Sequence, residues 1–394
     1  MSPRGRLFVA LISTLLVGYI AVGSLLGRVL GDSTYGHLAV FNEVLKIVME
    51  AYVDPVNVDR AMGGARLGLT EALDGDSAYL DAEEFRAFQH PQKDSEAEVG
   101  LIVTRRFAFL MVVSVKTGSP AQRAGLRPGD LIKTIDGRHT RPVPAPMGQR
   151  LLRGAPGSVV KLTILRAGTD PLDLNLVRER LLPVPPTGKM LDGRTGYLKI
   201  AEFPQKTADE VRSQLESLKR SGASSLVLDL RGTGYGAVTE AVKAAELFVK
   251  GGVVTRLKGE TVSEQVWNAD PSRHSCDLPM AVLIDSGTSG PGEILAAALQ
   301  DSQRSAVVGE RSFGRAPFQK TVPLDEGGLV VTVARYLSPK GTVIHGKGVE
   351  PSVPVETPDE EDAAAKDVIL EKALEVLSTQ AKKDYTQEAS FDVR

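Results

Sequence analysis

The chain has 394 residues, 42% of them apolar and 24% charged, with a net charge of −2. That length suits two or three domains with well-filled cores, and the near cancellation of charge argues against a strong pull toward nucleic acid or anionic lipid. A lone Cys276 excludes an internal disulfide, and the scattered His37, His90, His139, His274 and His345 imply no metal or other cofactor. No charge falls between Leu7 and Gly27. As a helix that run would span ~31 Å, the hydrocarbon thickness of a bilayer. Arg4 and Arg6 precede it, which keeps that end cytoplasmic and sends the body across. Residues 1–32 are therefore expected to anchor the chain in a membrane through residues 7–27, with the body extracytoplasmic, in a periplasm or at the cell surface. The small residues Ala21-Val22-Gly23 leave a cleaved leader and a secreted body as the alternative.

Residues 33–93 read as a helical segment. Gln89-His90-Pro91-Gln92-Lys93-Asp94 and Leu182-Pro183-Val184-Pro185-Pro186 carry linker composition and bound a module at 94–182. Within it, Val99-Gly100-Leu101-Ile102-Val103, the run from Gly118-Ser119-Pro120 to Gly129-Asp130-Leu131-Ile132, and the turn Asp136-Gly137 together resemble a PDZ domain. The resemblance implies capture of a peptide by strand addition, with backbone amides at the Gly100 turn cradling the terminal carboxylate and Leu101 and Val103 lining the side-chain pocket.

Residues 183–356 read as an α/β core. Leu226–Leu230 and Met280–Ile284 are short apolar runs suited to buried strands, each followed by a glycine-rich turn, and Glu293–Leu299 has a helical pattern. In residues 357–394, Asp359-Glu360-Glu361-Asp362 suit a helix N-terminus, and Ile369, Leu370, Ala373, Val376 and Leu377 form one apolar stripe that should dock on the core or on a partner. The residues after Gln380 are polar and read as loose.

The segment from Asp285-Ser286-Gly287-Thr288-Ser289-Gly290-Pro291-Gly292 to Glu293-Ile294 resembles the nucleophile turn of the C-terminal-processing (tail-specific) serine peptidases, whose pattern is Asn-x-x-Ser-Ala-Ser-Ala-Ser-Glu-Ile. Gly309-Glu310-Arg311-Ser312-Phe313-Gly314-Arg315-Ala316-Pro317-Phe318-Gln319 is similar to that family's segment bearing a lysine base and a glutamine that orients it. Tyr52-Val53-Asp54-Pro55, Leu73–Asp81 and Gly346–Pro351 also resemble family segments. Behind the membrane helix read from residues 7–27, the likeness implies a helical segment and a PDZ domain inserted before a crotonase-like or ClpP-like α/β core. It places the attacking serine at Gly292 and the base at Arg315, with only Gln319 matching. The oxyanion loop falls at Gly232-Thr233-Gly234-Tyr235-Gly236, where Tyr235 stands for a family glycine beside Gly234 and Gly236; Arg231 retains a family arginine.

Glycine has no attacking atom, and arginine keeps its proton in any protein environment, so neither can fill the role implied at its position. The reading preferred from sequence is an extracytoplasmic pseudopeptidase that binds the C-terminal tails of other proteins. Two alternatives stand beside it. One is a working serine peptidase using Ser286, Thr288 or Ser289 in a rearranged site, with Lys320 read as a solvated surface lysine rather than a substitute base. The other is a structural subunit that pairs with an active peptidase or with itself. A pairing of Arg315 with Glu293 or Glu310 would explain how a fixed charge is tolerated there, and the sequence leaves open whether either forms.

Overall fold

The computed structural model describes residues 34–90, 96–356 and 367–391. The expected membrane segment at 7–27 and the acidic run Asp359–Asp362 lie outside the described residues. Among the described residues no helix is long and apolar enough to cross a membrane. Two compact units divide the chain, Met1–Ala65 and Arg66–Arg394. In the first, helix α1 (Thr34–Ala51) exposes Leu38, Val44 and Ile47. Helix α2 spans Val58–Glu71.

The sequence from Leu73 to Asp81 was expected within a helical segment, but it contains strand β1 (Ala78–Leu80). Helix α3 (Ala82–Gln89) follows because the Asp81 carboxylate accepts from the amides of Glu83 and Glu84 while Glu84 reaches back to the Asp81 amide, a reciprocal cap that starts a helix there.

The PDZ module is an antiparallel sheet of β2 (Leu101–Arg106), β3 (Phe109–Val115), β4 (Leu131–Ile135), β5 (Val159–Leu165) and β6 (Leu172–Val177), with helix α4 (Ala145–Leu151) packed on β2. Alternation sends Leu101 and Val103 inward with Val112, Ile132 and Leu162. Both are almost wholly buried, and Val103 also stands at the wall of a cavity beside β2.

The main sheet of the core has the order β7 (Thr187–Met190), β8 (Thr195–Lys199), β9 (Ser225–Asp229), β12 (Met280–Ile284), β13 (Ala306–Gly309) and β16 (Val353–Pro354), parallel from β8 onward. Parallel strands need crossovers, and helices α5 (Thr207–Arg220), α6 (Val238–Glu246) and α7 (Pro291–Asp301) supply them. Leu226, Leu228, Val282 and Ile284 pack with Val211, Leu215, Ile294 and Leu295 on one face. The intervening Val227, Ala281 and Leu283 face Ile369, Ala373 and Leu377 of α8 (Val368–Phe391), so the apolar stripe docks on its own core. Asp367 accepts from the Leu370 amide at 3.0 Å at the start of α8. The helix runs on to Phe391, past the point where looseness was expected.

A second, antiparallel sheet joins β10 (Val253–Lys258), β11 (Gln265–Asn268), β14 (Pro317–Leu324) and β15 (Gly327–Leu337) to β1, whose Ala78 and Leu80 pair with Val330 and Gly328. This pairing carries residues 74–81 to the edge of the candidate site.

Candidate functional site

Strand β12 is fully buried and ends at Ile284, directly before Asp285. The Asp285 carboxylate accepts from the amides of Gly232 at 2.8 Å and Gly287 at 3.1 Å and lies 3.0 Å from the Thr288 hydroxyl, which stitches the turn before α7 to the loop after β9. Burial holds its pKa above the usual carboxylate range. Thr288 is wholly buried, with its hydroxyl also 3.0 Å from the Leu230 carbonyl, and Ser289 is 2% exposed.

Gly290 closes the turn after β12 and is the N-cap of α7, with φ +52° and ψ −117°. An L side chain is strained there, and nucleophile turns at strand-to-helix joints store this kind of strain. A Cβ at 290 would meet only the carbonyl oxygens of Arg315 at 3.6 Å and Gly234 at 3.7 Å. Gly292, the expected slot, lies two residues further round the helix, a rotation of about 200°. A Cβ there would lie 2.9 Å from the Thr233 carbonyl and 3.1 Å from Thr288 Cγ2. Position 292 therefore faces a packed wall, and position 290 faces the two loops around the site.

Glu293 fixes one of those loops. Its Oε2 accepts from the amides of Gly290 at 3.0 Å and Arg315 at 2.9 Å, and its Oε1 from the Gly314 amide at 2.6 Å and the Ser312 hydroxyl at 2.5 Å. Complete burial outweighs these four donors and pushes its pKa up to about 7. Glu293 holds only the amide of Arg315. The Arg315 guanidinium turns the other way, with Nε 2.8 Å from Asp76 Oδ1, so Asp76 takes the part that sequence left open for Glu293 or Glu310. Gln319 Nε2 donates to the Asp76 carbonyl at 2.8 Å. Asp76 is 4% exposed, and a carboxylate so deep needs a charged partner. Sequence reading missed it as a site residue; its place in the Leu73–Asp81 segment was the available signal. Lys320 is exposed.

Arg231 lies between the end of β9 and Gly232 of the oxyanion loop. It pairs with Asp229 at 2.8 Å and with Asp367 at 2.7 Å, tying that strand to α8. The loop itself is clamped between the core and the PDZ module. A Cβ at Gly234 would fall 2.5 Å from Ser289 Oγ and 2.7 Å from Ser114 Cβ, so only glycine fits. Ser114 Oγ donates to the Gly232 carbonyl at 2.8 Å. Tyr235 and Gly236 pair with Glu202 and Phe203, and the Lys116 ammonium sits 5.4 Å from the Tyr235 ring centre while bonding Glu202 at 2.9 Å. The Tyr235 hydroxyl is buried with no hydrogen-bond partner among the described residues, and burial keeps its pKa well above the usual value.

Residues 194–355 match the model of Peptidase family S41, and residues 111–166 match that of the PDZ domain. The chain is 32% identical over 332 residues to the carboxy-terminal processing protease CtpA of Bacillus subtilis (strain 168), with 84% of this chain and 70% of the relative covered. It belongs to peptidase family S41. A second family member, the carboxy-terminal-processing protease of Bartonella bacilliformis, is 31% identical over 346 residues, covering 86% of this chain and 80% of that one. Among solved structures, a photosystem II D1 C-terminal processing protease superposes with a TM-score of 0.68 at 28% identity, over 82% of this chain and 89% of that chain.

In this S41 chain the edge of the PDZ module at β2 is occupied from within the module. Gly100 makes the expected turn with φ +82°, but it is buried, and a Cβ there would collide with Ser119. Among the described residues strand β2 pairs with β3 alone. On its free side the Gln149 side chain of α4 donates to the Leu101 carbonyl at 2.7 Å and accepts from the Val103 amide at 3.3 Å. These are groups that an added peptide strand would take. Ile102, between them, is half-buried.

Proposed function

We propose that this S41-family chain captures the C-terminal tails of extracytoplasmic or membrane proteins through its PDZ module without cleaving them. The observation that carries the reading is Gly290. It has the backbone of a nucleophile turn and open space on the site side, and it has no hydroxyl. The serine-rich family pattern, aligned on Glu293, puts serines at 288, 290 and 292, and the geometry favours 290 as the slot. Its neighbour Arg315 is a permanent cation tied to Asp76 and cannot take a proton. Loss of the nucleophile alone costs a serine protease on the order of a millionfold in turnover, about 8 kcal/mol of barrier. Thr288 and Ser289 are buried, and Thr288 is engaged by the backbone, which speaks against their attacking a substrate. The docking of α8 on its own sheet removes the apolar stripe as a reason to invoke a partner subunit.

The test is incubation of the full chain with polypeptides bearing apolar C-termini, read by intact mass. Binding with no new fragments is expected. Reproducible cleavage abolished by Ser289→Ala or Ser286→Ala would falsify the reading.

A further inference from the structure

The free edge of β2 and the Arg315 turn open onto one cavity of about 320 Å³, shared by the PDZ module and the core and lined by Phe88, Val103, Gln149, Arg150, Arg315 and Gln319 among others. Its walls include Ala87, Ala145 and Val330, and its charged lining is Arg150, Arg153 and Arg315 against a single acid, Asp76. Arg315 engages that acid through Nε alone among the described residues. Arg153 contacts Glu98 at 3.4 Å. Arg150, half-buried, has no hydrogen-bond or ion-pair partner among the described residues. Positive charge in excess, beside an apolar wall and a strand edge held only by one side-chain amide, fits one chemistry: an extended peptide with an apolar last residue and a free α-carboxylate.

We infer that this cavity is the seat of the captured tail, which displaces the Gln149 amide from Leu101 and Val103 and sets its carboxylate on Arg150 and Arg315. The inference rests on reading the PDZ module as a binder of C-termini, and it moves the carboxylate from the packed Gly100 turn to the arginines. Gln149 then acts as an internal competitor, satisfying the edge until a peptide replaces it. Arg315 becomes a ligand-binding residue in the place where the family pattern has a base.

The experiment is fluorescence anisotropy on the full chain in detergent, with a fluorescein-labelled hexapeptide ending Val-Ala-Leu as the free acid and as its C-terminal amide. The acid should bind about tenfold tighter than the amide, the margin of a charge-assisted guanidinium contact. Arg150→Gln and Arg315→Gln should each remove most of that margin, bringing the acid down toward the amide, while Gln149→Ala should tighten both peptides severalfold. Arg150 carries no ion pair, so its variant decides the matter should Arg315→Gln, which strips Asp76 of its partner, fail to fold. Equal binding of acid and amide, or a margin that survives both arginine variants, overturns the inference. In the second case capture of C-termini stands while its residues lie elsewhere. Absence of binding by either peptide, even to Gln149→Ala, overturns both.

Discussion

On the proposed reading, the turn before α7 and the edge of β2 are idle for opposite reasons. At the turn every supporting bond is in place, from Asp285 to Gly232 and from Glu293 to residues 312–315, yet the position facing the site is an empty glycine. At the edge the binding groups are present, yet a neighbouring side chain already holds them. If the proposal holds, a scaffold can keep its geometry without a reactive atom, because the bonds that shape it serve folding. A binding edge can keep its chemistry and still be silent, because any well-placed amide satisfies it.

The largest effect that would break this contrast is restored chemistry. Gly290→Ser with Arg315→Lys should raise peptide hydrolysis at least about a hundredfold over the parent and permit labelling by a fluorophosphonate, although strain at that backbone costs ~1–3 kcal/mol. Gly292→Ser with Arg315→Lys should give neither, because its Cβ meets the Thr233 carbonyl. Activity from the second pair and none from the first would reverse the assignment of the slot.

The seam between the two regions comes next. Lys116 and Glu202 form a buried pair, so Lys116→Met, which leaves an unpaired carboxylate, should cost about 3–5 kcal/mol in chemical denaturation. A loss below ~1 kcal/mol would mean the PDZ module does not depend on this contact.

Glu293 gives a pH signature for the turn. Its folded pKa of about 7 lies above the ordinary value of 4.5, so the native state holds a proton that the unfolded chain has released in between. Stability should therefore fall as pH rises from about 5 to 8, by up to ~3 kcal/mol, and the fall should disappear in Glu293→Gln. A flat profile in the parent would show that the four donors keep the group ionised throughout. The smallest effect is at Tyr235, whose hydroxyl is buried without a partner. Tyr235→Phe should stabilise the protein by ~1 kcal/mol, and a comparable loss would reveal a hydrogen bond to that hydroxyl.

The sequence made much of this framework legible. Met280–Ile284 is a strand as its apolar run predicts, and Pro291–Asp301 contains the expected helix, since both periods are local properties of the chain. The register of the slot was not legible. The family pattern repeats serine at every second position, and which of them faces the site depends on where the turn sets its positive-φ residue, a matter of how Gly290 packs against the Gly234 and Arg315 loops. Asp76 and Gln149 were missed for a different reason: their partners lie 239 and 48 residues away along the chain, and only the pairing of β1 with β15 and the packing of α4 on β2 bring them together.

That β1 pairing has a practical consequence for anyone shortening the protein for recombinant work. A fragment beginning at the PDZ module would lack Asp76 and the strand that lies against Val330, and so would leave Arg315 as a lone cation beside a bare sheet edge. Clumping of such a fragment would report on the missing neighbour rather than on any weakness of the domains themselves.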